Sequence, residues 1–230
     1  FTNGIKTELT ATHAMAVERY KFPRSISAAL WVDFASTFED VATCQYKRVS
    51  DTCIEGYVQA KNVCGHGRYK LYFSLNTDQP FQLEEQKETT ACLTFGKKVR
   101  AVEVRIGLSA LSSELASWEC ARWEKMDFAE LKSQTGNQWE KQLSAIDVKG
   151  GKKDDKVIFY TSLYRAYLSP ADVSSPDGAY LGTDGKVYIS EDFRYYSNWS
   201  LWDTFRTKFP LLVLTEPARM RDMATSLIHL

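Results

Sequence analysis

Ser200-Leu201-Trp202-Asp203-Thr204-Phe205-Arg206 sets an indole, a carboxylate and a guanidinium side by side at the start of an apolar stretch. A flat aromatic face supplies a stacking platform, while the carboxylate and guanidinium supply directed hydrogen bonds. Sugars need both kinds of contact, so a carbohydrate site is the first chemistry these residues suggest. The same spacing also fits a plain amphipathic helix start, with Trp202 in the core and Asp203 paired to Arg206 one turn on. Residue types alone leave both readings open.

The elements that must position this segment follow from periodicity. From Phe1 to about Leu111 the apolar residues recur mostly every second position. Tyr69, Leu71, Phe73 and Leu75 alternate with mostly more polar neighbours until Asn76-Thr77-Asp78-Gln79-Pro80 stops the strand, and Val102, Val104, Ile106 and Leu108 alternate likewise. Ala28 to Phe34 is a shorter, more continuous apolar run. Several such runs separated by polar turns predict an antiparallel sandwich.

At Ser112-Ser113-Glu114 the period changes. Hydroxyls stand where a helix is capped and an acid follows in its first turn, where the helix dipole favours it. Leu115, Trp118, Ala121 and Arg122 share one side, and Met126, Phe128 and Leu131 continue the apolar content. Trp139, Leu143 and Ile146 predict a second, short helix. Gly150-Gly151 marks a boundary. Asp154 or Asp155 is placed to cap the next helix, whose stripe is Phe159, Leu163, Ala166 and Tyr167, with Pro170 just beyond its end. Residues 170–186, with Ser-Pro-Asp-Gly and Gly-Thr-Asp-Gly, read as loop, followed by a short strand at Val187-Tyr188-Ile189. Ser197 or Ser200 then caps a helix carrying Leu201, Trp202, Phe205, Phe209 and Leu212, which Pro210 must end or kink. Glu216-Pro217 opens a last helix with Met220, Met223, Ala224 and Leu227 on one face. The expected domains are thus a sandwich over 1–111, a helical linker over 112–150 and a helical domain from 151 to 230.

Composition narrows the partners. In 230 residues, Lys+Arg and Asp+Glu both total 29, so there is no basic surplus to neutralise phosphates, and nucleic acid is not an expected partner. No apolar run approaches the roughly 20 residues that span a bilayer. The chain opens at Phe1 without a Met or a leader, which reads as an internal piece of a longer protein, and the last helix needs a partner for its apolar face. Cys44, Cys53, Cys64, Cys92 and Cys120 form no CxxC pair, so a structural zinc site is not expected. One disulfide among the first three and free buried thiols are both open. His13, His66 and His229 read as surface or structural residues, and Asn198-Trp199-Ser200 fits a glycosylation acceptor.

Six stretches carry a family resemblance. They are Ile5 to Thr12 followed by Arg19-Tyr20-Lys21-Phe22-Pro23; Tyr72-Phe73-Ser74-Leu75; Val104-Arg105-Ile106-Gly107-Leu108-Ser109; Phe159 to Arg165; Asp177 to Gly182; and Ser200 to Arg206 with Pro210. In this order across nearly the whole chain they resemble glycoside hydrolase family 92, the calcium-dependent exo-acting α-mannosidases. The resemblance implies the later part of an N-terminal β-sandwich, a helical linker and the first helices of an (α/α)6 barrel. It also implies an inverting mechanism, with two carboxyl groups roughly 6.5–9.5 Å apart across the scissile bond.

The resemblance further implies a secreted or periplasmic protein acting on terminal mannose of glycans. Calcium would bind sugar hydroxyls, with ligands mostly on segments of the parent polypeptide outside this chain. No catalytic residue and no metal ligand carries over. Trp202, Asp203 and Arg206 do carry over as substrate-binding residues: Asp203 accepting from mannose hydroxyls, Trp202 lining the pocket, Arg206 orienting Asp203 or touching the sugar. The rival expectations are a non-catalytic carbohydrate-binding or structural fragment, and a sandwich-plus-barrel phosphorylase acting on α-glucosides.

Overall fold

The computed structural model describes residues 1–37, 39–62, 67–84 and 87–229. The chain divides into two compact units, Phe1–Thr135 and Gly136–Leu230.

Among the described residues the first unit holds nine strands: β1 (Lys6–Ala11), β2 (Met15–Lys21), β3 (Ala29–Asp33), β4 (Val41–Arg48), β5 (Cys53–Lys61), β6 (Arg68–Thr77), β7 (Phe81–Glu84), β8 (Thr90–Phe95) and β9 (Ala101–Ser109). A six-stranded sheet runs β1-β2-β9-β6-β5-β4 and a three-stranded sheet runs β3-β8-β7, with antiparallel pairing throughout. The alternation seen in sequence is the reason they stack. Val102, Val104, Phe73, Leu75 and Ile54 leave the larger sheet on one face and meet Phe81, Ala91, Leu93 and Phe95 of the smaller one. Phe34 stacks on Phe73 with ring centroids 5.2 Å apart. Of the alternating series in β6, Tyr69 is exposed, because it lies at the strand's outer end.

The other face of the six-stranded sheet is covered by helix. Ser112 Oγ accepts the Leu115 amide at 3.2 Å and so caps α1 (Ser113–Ala121), as the hydroxyl placement predicts. Helix α1 lies so close to β9 that a Cβ on Gly107 would stand 2.0 Å from the Ala116 carbonyl oxygen. Cys120 donates its thiol to the Ser74 carbonyl at 3.5 Å, and Met15, Val17, Cys120, Phe128 and Leu131 form a second core there.

One helix replaces the expected short one. Helix α2 runs from Phe128 to Leu143, so Leu131 and Trp139 share it, and Ile146 lies past its end. Its start is fixed by a reciprocal pair: the Asp127 amide donates to Glu130 Oε2 at 2.9 Å and the Glu130 amide to Asp127 Oδ1 at 2.8 Å.

In the second unit, α3 (Lys153–Tyr167) buries Leu163 and Tyr167 of the expected stripe. Its N-cap is Lys152 rather than Asp154 or Asp155; Asp155 instead reaches back from the first turn to accept the Lys152 amide at 3.2 Å. Two small ladders follow, β10 (Ala171–Asp172) with β13 (Tyr196–Ser197), and β11 (Ala179–Leu181) with β12 (Val187–Ile189). The long helix expected after Ser200 is two elements, α4 (Leu201–Thr204) and α5 (Lys208–Thr215). Pro210 is the third residue of α5, where its missing amide has no intrahelical partner to lose, so the proline opens a helix instead of ending one. Helix α6 (Pro217–Ile228) starts at the proline, as expected. Leu163, Tyr167, Tyr196, Leu212 and Met223 form this unit's core.

Cys44, Cys53 and Cys120 are free thiols, so Cys44 and Cys53 form no disulfide with each other; Cys64 and His66 lie outside the described residues.

Candidate functional site

Within the second unit the chain is led to Trp202 by a set of buried and half-buried hydrogen bonds. Arg194 is the anchor. Its Nε donates to Asp172 Oδ2 at 2.9 Å, Nη1 to the Ser175 carbonyl at 2.8 Å and Nη2 to the Ser174 carbonyl at 2.8 Å. Ser226, fully buried on α6, accepts the Tyr196 amide at 2.9 Å and donates toward the Arg194 carbonyl at 3.2 Å and the Asp222 carbonyl at 2.8 Å. The rings of Tyr180 and Tyr195 stack at 4.1 Å between the hairpin and this strand. Burial and the neighbouring Tyr180 push the Tyr195 phenol above its ordinary range.

The strand then turns sharply. Asn198 adopts a left-handed backbone with φ of 63°, a conformation Asn tolerates better than most residues. Beyond that turn Trp199, not Trp202, is the packed indole: it donates Nε1 to the Tyr196 carbonyl at 3.1 Å and meets Phe209 edge-on at 6.3 Å. Trp202 is 86 % exposed. The reading that put Trp202 in the core is therefore incorrect, because Trp199 already fills that place.

Asp203 is exposed, and its Oδ2 accepts the Ser200 hydroxyl at 2.6 Å. Arg206 turns away to lie over the Phe205 ring, 5.4 Å from its centroid. Among the described residues no ion pair joins Asp203 and Arg206, so neither the expected local salt bridge nor an Arg206 that orients Asp203 is present. Just beyond, Lys208 donates to Ser169 Oγ at 2.9 Å, and burial together with the Arg219 charge holds its ammonium below the usual lysine range. The structure thus brings Trp202 and Asp203 together on one exposed turn and sets Arg206 on a separate aromatic contact. Asp203 and Trp202 can offer a sugar one acceptor edge and one aromatic face.

Sequence reasoning missed Arg194. Its partners lie about twenty positions away and two of them are main-chain carbonyls, so no local pattern marks it. Among the described residues no three His, Cys, Asp or Glu side chains converge in the way a cation cage requires.

A sandwich whose larger sheet is backed by α1 is followed in the chain by a helical unit that carries the exposed Trp202-Asp203 turn. The comparisons make this specific. The glycosyl hydrolase family 92 N-terminal domain matches residues 1–109 and the family 92 catalytic domain matches residues 115–230. The chain belongs to glycosyl hydrolase family 92. It resembles the solved structure of a family 92 glycosyl hydrolase, ccman5, at 26 % identity and a TM-score of 0.88, covering 98 % of this chain and 32 % of that one. It resembles the family 92 α-mannosidase BT3965 from Bacteroides thetaiotaomicron at 25 % identity and a TM-score of 0.88, covering 98 % of this chain and 33 % of that one. The fold is shared with the inverting mannosidase BT2199 of the same organism, at 23 % identity, a TM-score of 0.83 and coverage of 99 % and 33 %. The chain therefore spans about a third of the length of the structures it matches. No curated protein matches it. No helix among the described residues is long and apolar enough to cross a membrane.

Proposed function

We propose that this chain is part of an inverting exo-α-mannosidase and supplies a wall of the site that holds the terminal mannose. The observation that carries the reading is the Trp202-Asp203 turn: a carboxylate fixed by Ser200 beside an uncovered indole, on the segment matched by the family 92 catalytic domain. The likeness to BT3965, which has also been solved with mannoimidazole bound, supports mannose as the sugar.

In this reading Asp203 accepts hydrogen bonds from mannose hydroxyls, since a carboxylate carries four acceptor positions and the Ser200 hydroxyl occupies one. Trp202 covers the apolar face of the ring. Arg206 contributes as a donor to the sugar rather than as a brace for Asp203. No general acid or base is assigned on this chain. Calcium, when bound, would supply a hard cation for sugar hydroxyls; the described residues do not gather a cage for it, and no step here is assigned to it. The domain reading is a sandwich over 1–111, a helical linker over 112–150 and the start of the catalytic helices from 151. It is supported by the last sandwich strand ending at Ser109, α1 beginning at Ser113 and α3 at Lys153. A glycan substrate supports action in the periplasm or outside the cell.

Asp203→Ala in the complete enzyme tests the proposal. Hydrolysis of a terminal α-mannoside is expected to drop about 100-fold in kcat/KM, the upper end of what a hydrogen-bond set to a charged group contributes. Unchanged kinetics would remove Asp203 from the site.

A further inference from the structure

Helix α1 lies against the six-stranded sheet at backbone distance, and a glycine is the reason. A Cβ at Gly107 of β9 would stand 2.0 Å from the Ala116 carbonyl oxygen and 3.0 Å from Cys120 Sγ, so no side chain keeps the helix off the strand there. One turn on from Ala116, Cys120 reaches main-chain atoms of two strands. Its Sγ lies 3.5 Å from the Ser74 carbonyl oxygen on β6 and 3.8 Å from that of Arg105 on β9.

A second thiol stands in the same layer. Cys53 opens β5 directly opposite Asn76 of β6. Register partners carry their side chains on one face of a sheet with Cβ atoms about 4.5–5.5 Å apart, and Ser74, two residues before Asn76, shares that face. Cys53 Sγ lies 3.7 Å from Ser74 Oγ. The Asn76 side chain is in turn hydrogen-bonded to the Cys120 thiol, and Cys53 is among the groups that raise that thiol. Two buried sulfurs, one from α1 and one from β5, are thus seated against the same pair of β6 residues, and Ser74 between them is fully buried. A disulfide asks for Cα atoms about 4.4–6.8 Å apart. The close approach at Gly107 lowers α1 toward the sheet as a bridge of that length requires.

We propose that Cys53 and Cys120 are a disulfide-forming pair, a modification site at which oxidation bonds β5 to α1. The oxidant is a small disulfide such as oxidised glutathione. The thiolate of one cysteine attacks it, expels one glutathione thiolate and leaves a mixed disulfide; the thiolate of the other attacks the protein sulfur of that bond and expels the second. Two protein thiols are oxidised, one glutathione disulfide is reduced to two thiols, and the two protons leave with them. Burial holds both thiols above their ordinary range, so exchange in the folded, reduced chain is slow and the bond closes as the chain folds. The bond closes the long loop from 53 to 120, and long loops are the ones whose closure stabilises most. The pair stands apart from the mannose wall proposed above, and either assignment can fail without the other.

Refolding the complete enzyme in a buffer of reduced and oxidised glutathione, alkylating with iodoacetamide and digesting without reductant tests the pair. Mass spectrometry is expected to find the Cys53 and Cys120 peptides joined, two hydrogens lighter than their sum, and separate after reduction. Both cysteines alkylated, each carrying its own glutathione, or either joined to a different cysteine overturns the proposal. The thermal transition of the sandwich unit is expected to lie about 5–10 °C higher in the oxidised enzyme than in the reduced one. Cys53→Ala should abolish that difference, and a difference that persists in the folded variant belongs to another bond and overturns the assignment. Should Cys53→Ala not fold, the peptide map of the parent enzyme decides alone.

Discussion

Ser200 Oγ donates to Asp203 Oδ2 at 2.6 Å across the first turn of α4. A serine at a helix N-cap ordinarily accepts a main-chain amide; this one makes no such cap bond and gives its proton to the carboxylate. Thr204 Oγ1 in turn donates to the Ser200 carbonyl at 2.6 Å, which holds the serine in place. Ser200 is therefore a positioning residue for Asp203. Ser200→Ala in the complete enzyme is expected to lower kcat/KM on an α-mannoside about 5-fold, from the loss of roughly 1 kcal/mol of orientation, while Ser200→Thr keeps the hydroxyl and recovers most of the rate. The melting temperature should hardly move, because both residues are exposed. Equal losses from Ala and Thr would show that the hydroxyl does not act through Asp203.

Two glycines predict opposite signs. An alanine Cβ at Gly107 would meet the Ala116 carbonyl oxygen at 2.0 Å and Cys120 Sγ at 3.0 Å, so α1 must move off the sheet. Gly107→Ala is expected to destabilise by about 3 kcal/mol, the upper part of the overpacking range. Gly136 sits within α2 with nothing within 4 Å of an added Cβ. There, alanine restricts the unfolded chain and suits the helix, and Gly136→Ala is expected to stabilise by about 0.5–1 kcal/mol. Urea unfolding of the two variants beside the parent chain checks both signs.

The Arg194 fork gives a third expectation. Its three donors satisfy a carboxylate and two carbonyls, and Arg194→Ala would leave the half-buried Asp172 carboxylate without them. The expected cost is about 2–3 kcal/mol. Arg194→Lys keeps the charge but cannot reach all three acceptors, so it should recover less than half of the loss. Limited proteolysis provides the local readout: cleavage between 170 and 200 should accelerate in Arg194→Ala more than elsewhere in the chain.

These cases also mark where the sequence was legible. The period-two runs of Val102 to Leu108 and the cap at Ser112 depend on near neighbours along the chain, and both form as read. The Trp139-Leu143-Ile146 spacing alone predicts a helix shorter than α2; the Asp127-x-x-Glu130 box at its start is a local signal too. Pro210 reads as an end or a kink because the spacing does not show which turn of a helix it occupies, and that turn is set by packing around Phe209 and Leu212. The Trp202-Asp203 turn is visible as residue types, but the choice of Trp199 as the packed, partly buried indole is not. It depends on the left-handed backbone at Asn198, which no spacing pattern announces.

Cys120 yields the last prediction. Burial between α1 and the sheet pushes its thiol from an ordinary 9.0 up to about 11, against smaller lowering effects from the Asn76 side chain and the Gly107 backbone. At pH 8 its thiolate fraction is then on the order of one in a thousand, roughly 100-fold below an ordinary thiol; burial raises the Cys44 thiol too, but Cys44 is half-exposed, so iodoacetamide should label it before Cys120. The same shift links to stability. A folded-state value raised above the unfolded one means that the native chain holds the proton more tightly. Its contribution is complete below pH 9 and is lost as the pH climbs from 9 toward 11. Urea unfolding between pH 8 and pH 10.5 is expected to show a decline that shrinks in Cys120→Ala, after allowance for that variant's lower starting stability. A decline of the same slope in both proteins, or labelling of Cys120 as fast as Cys44, would show that the thiol is not held neutral by its burial beneath α1.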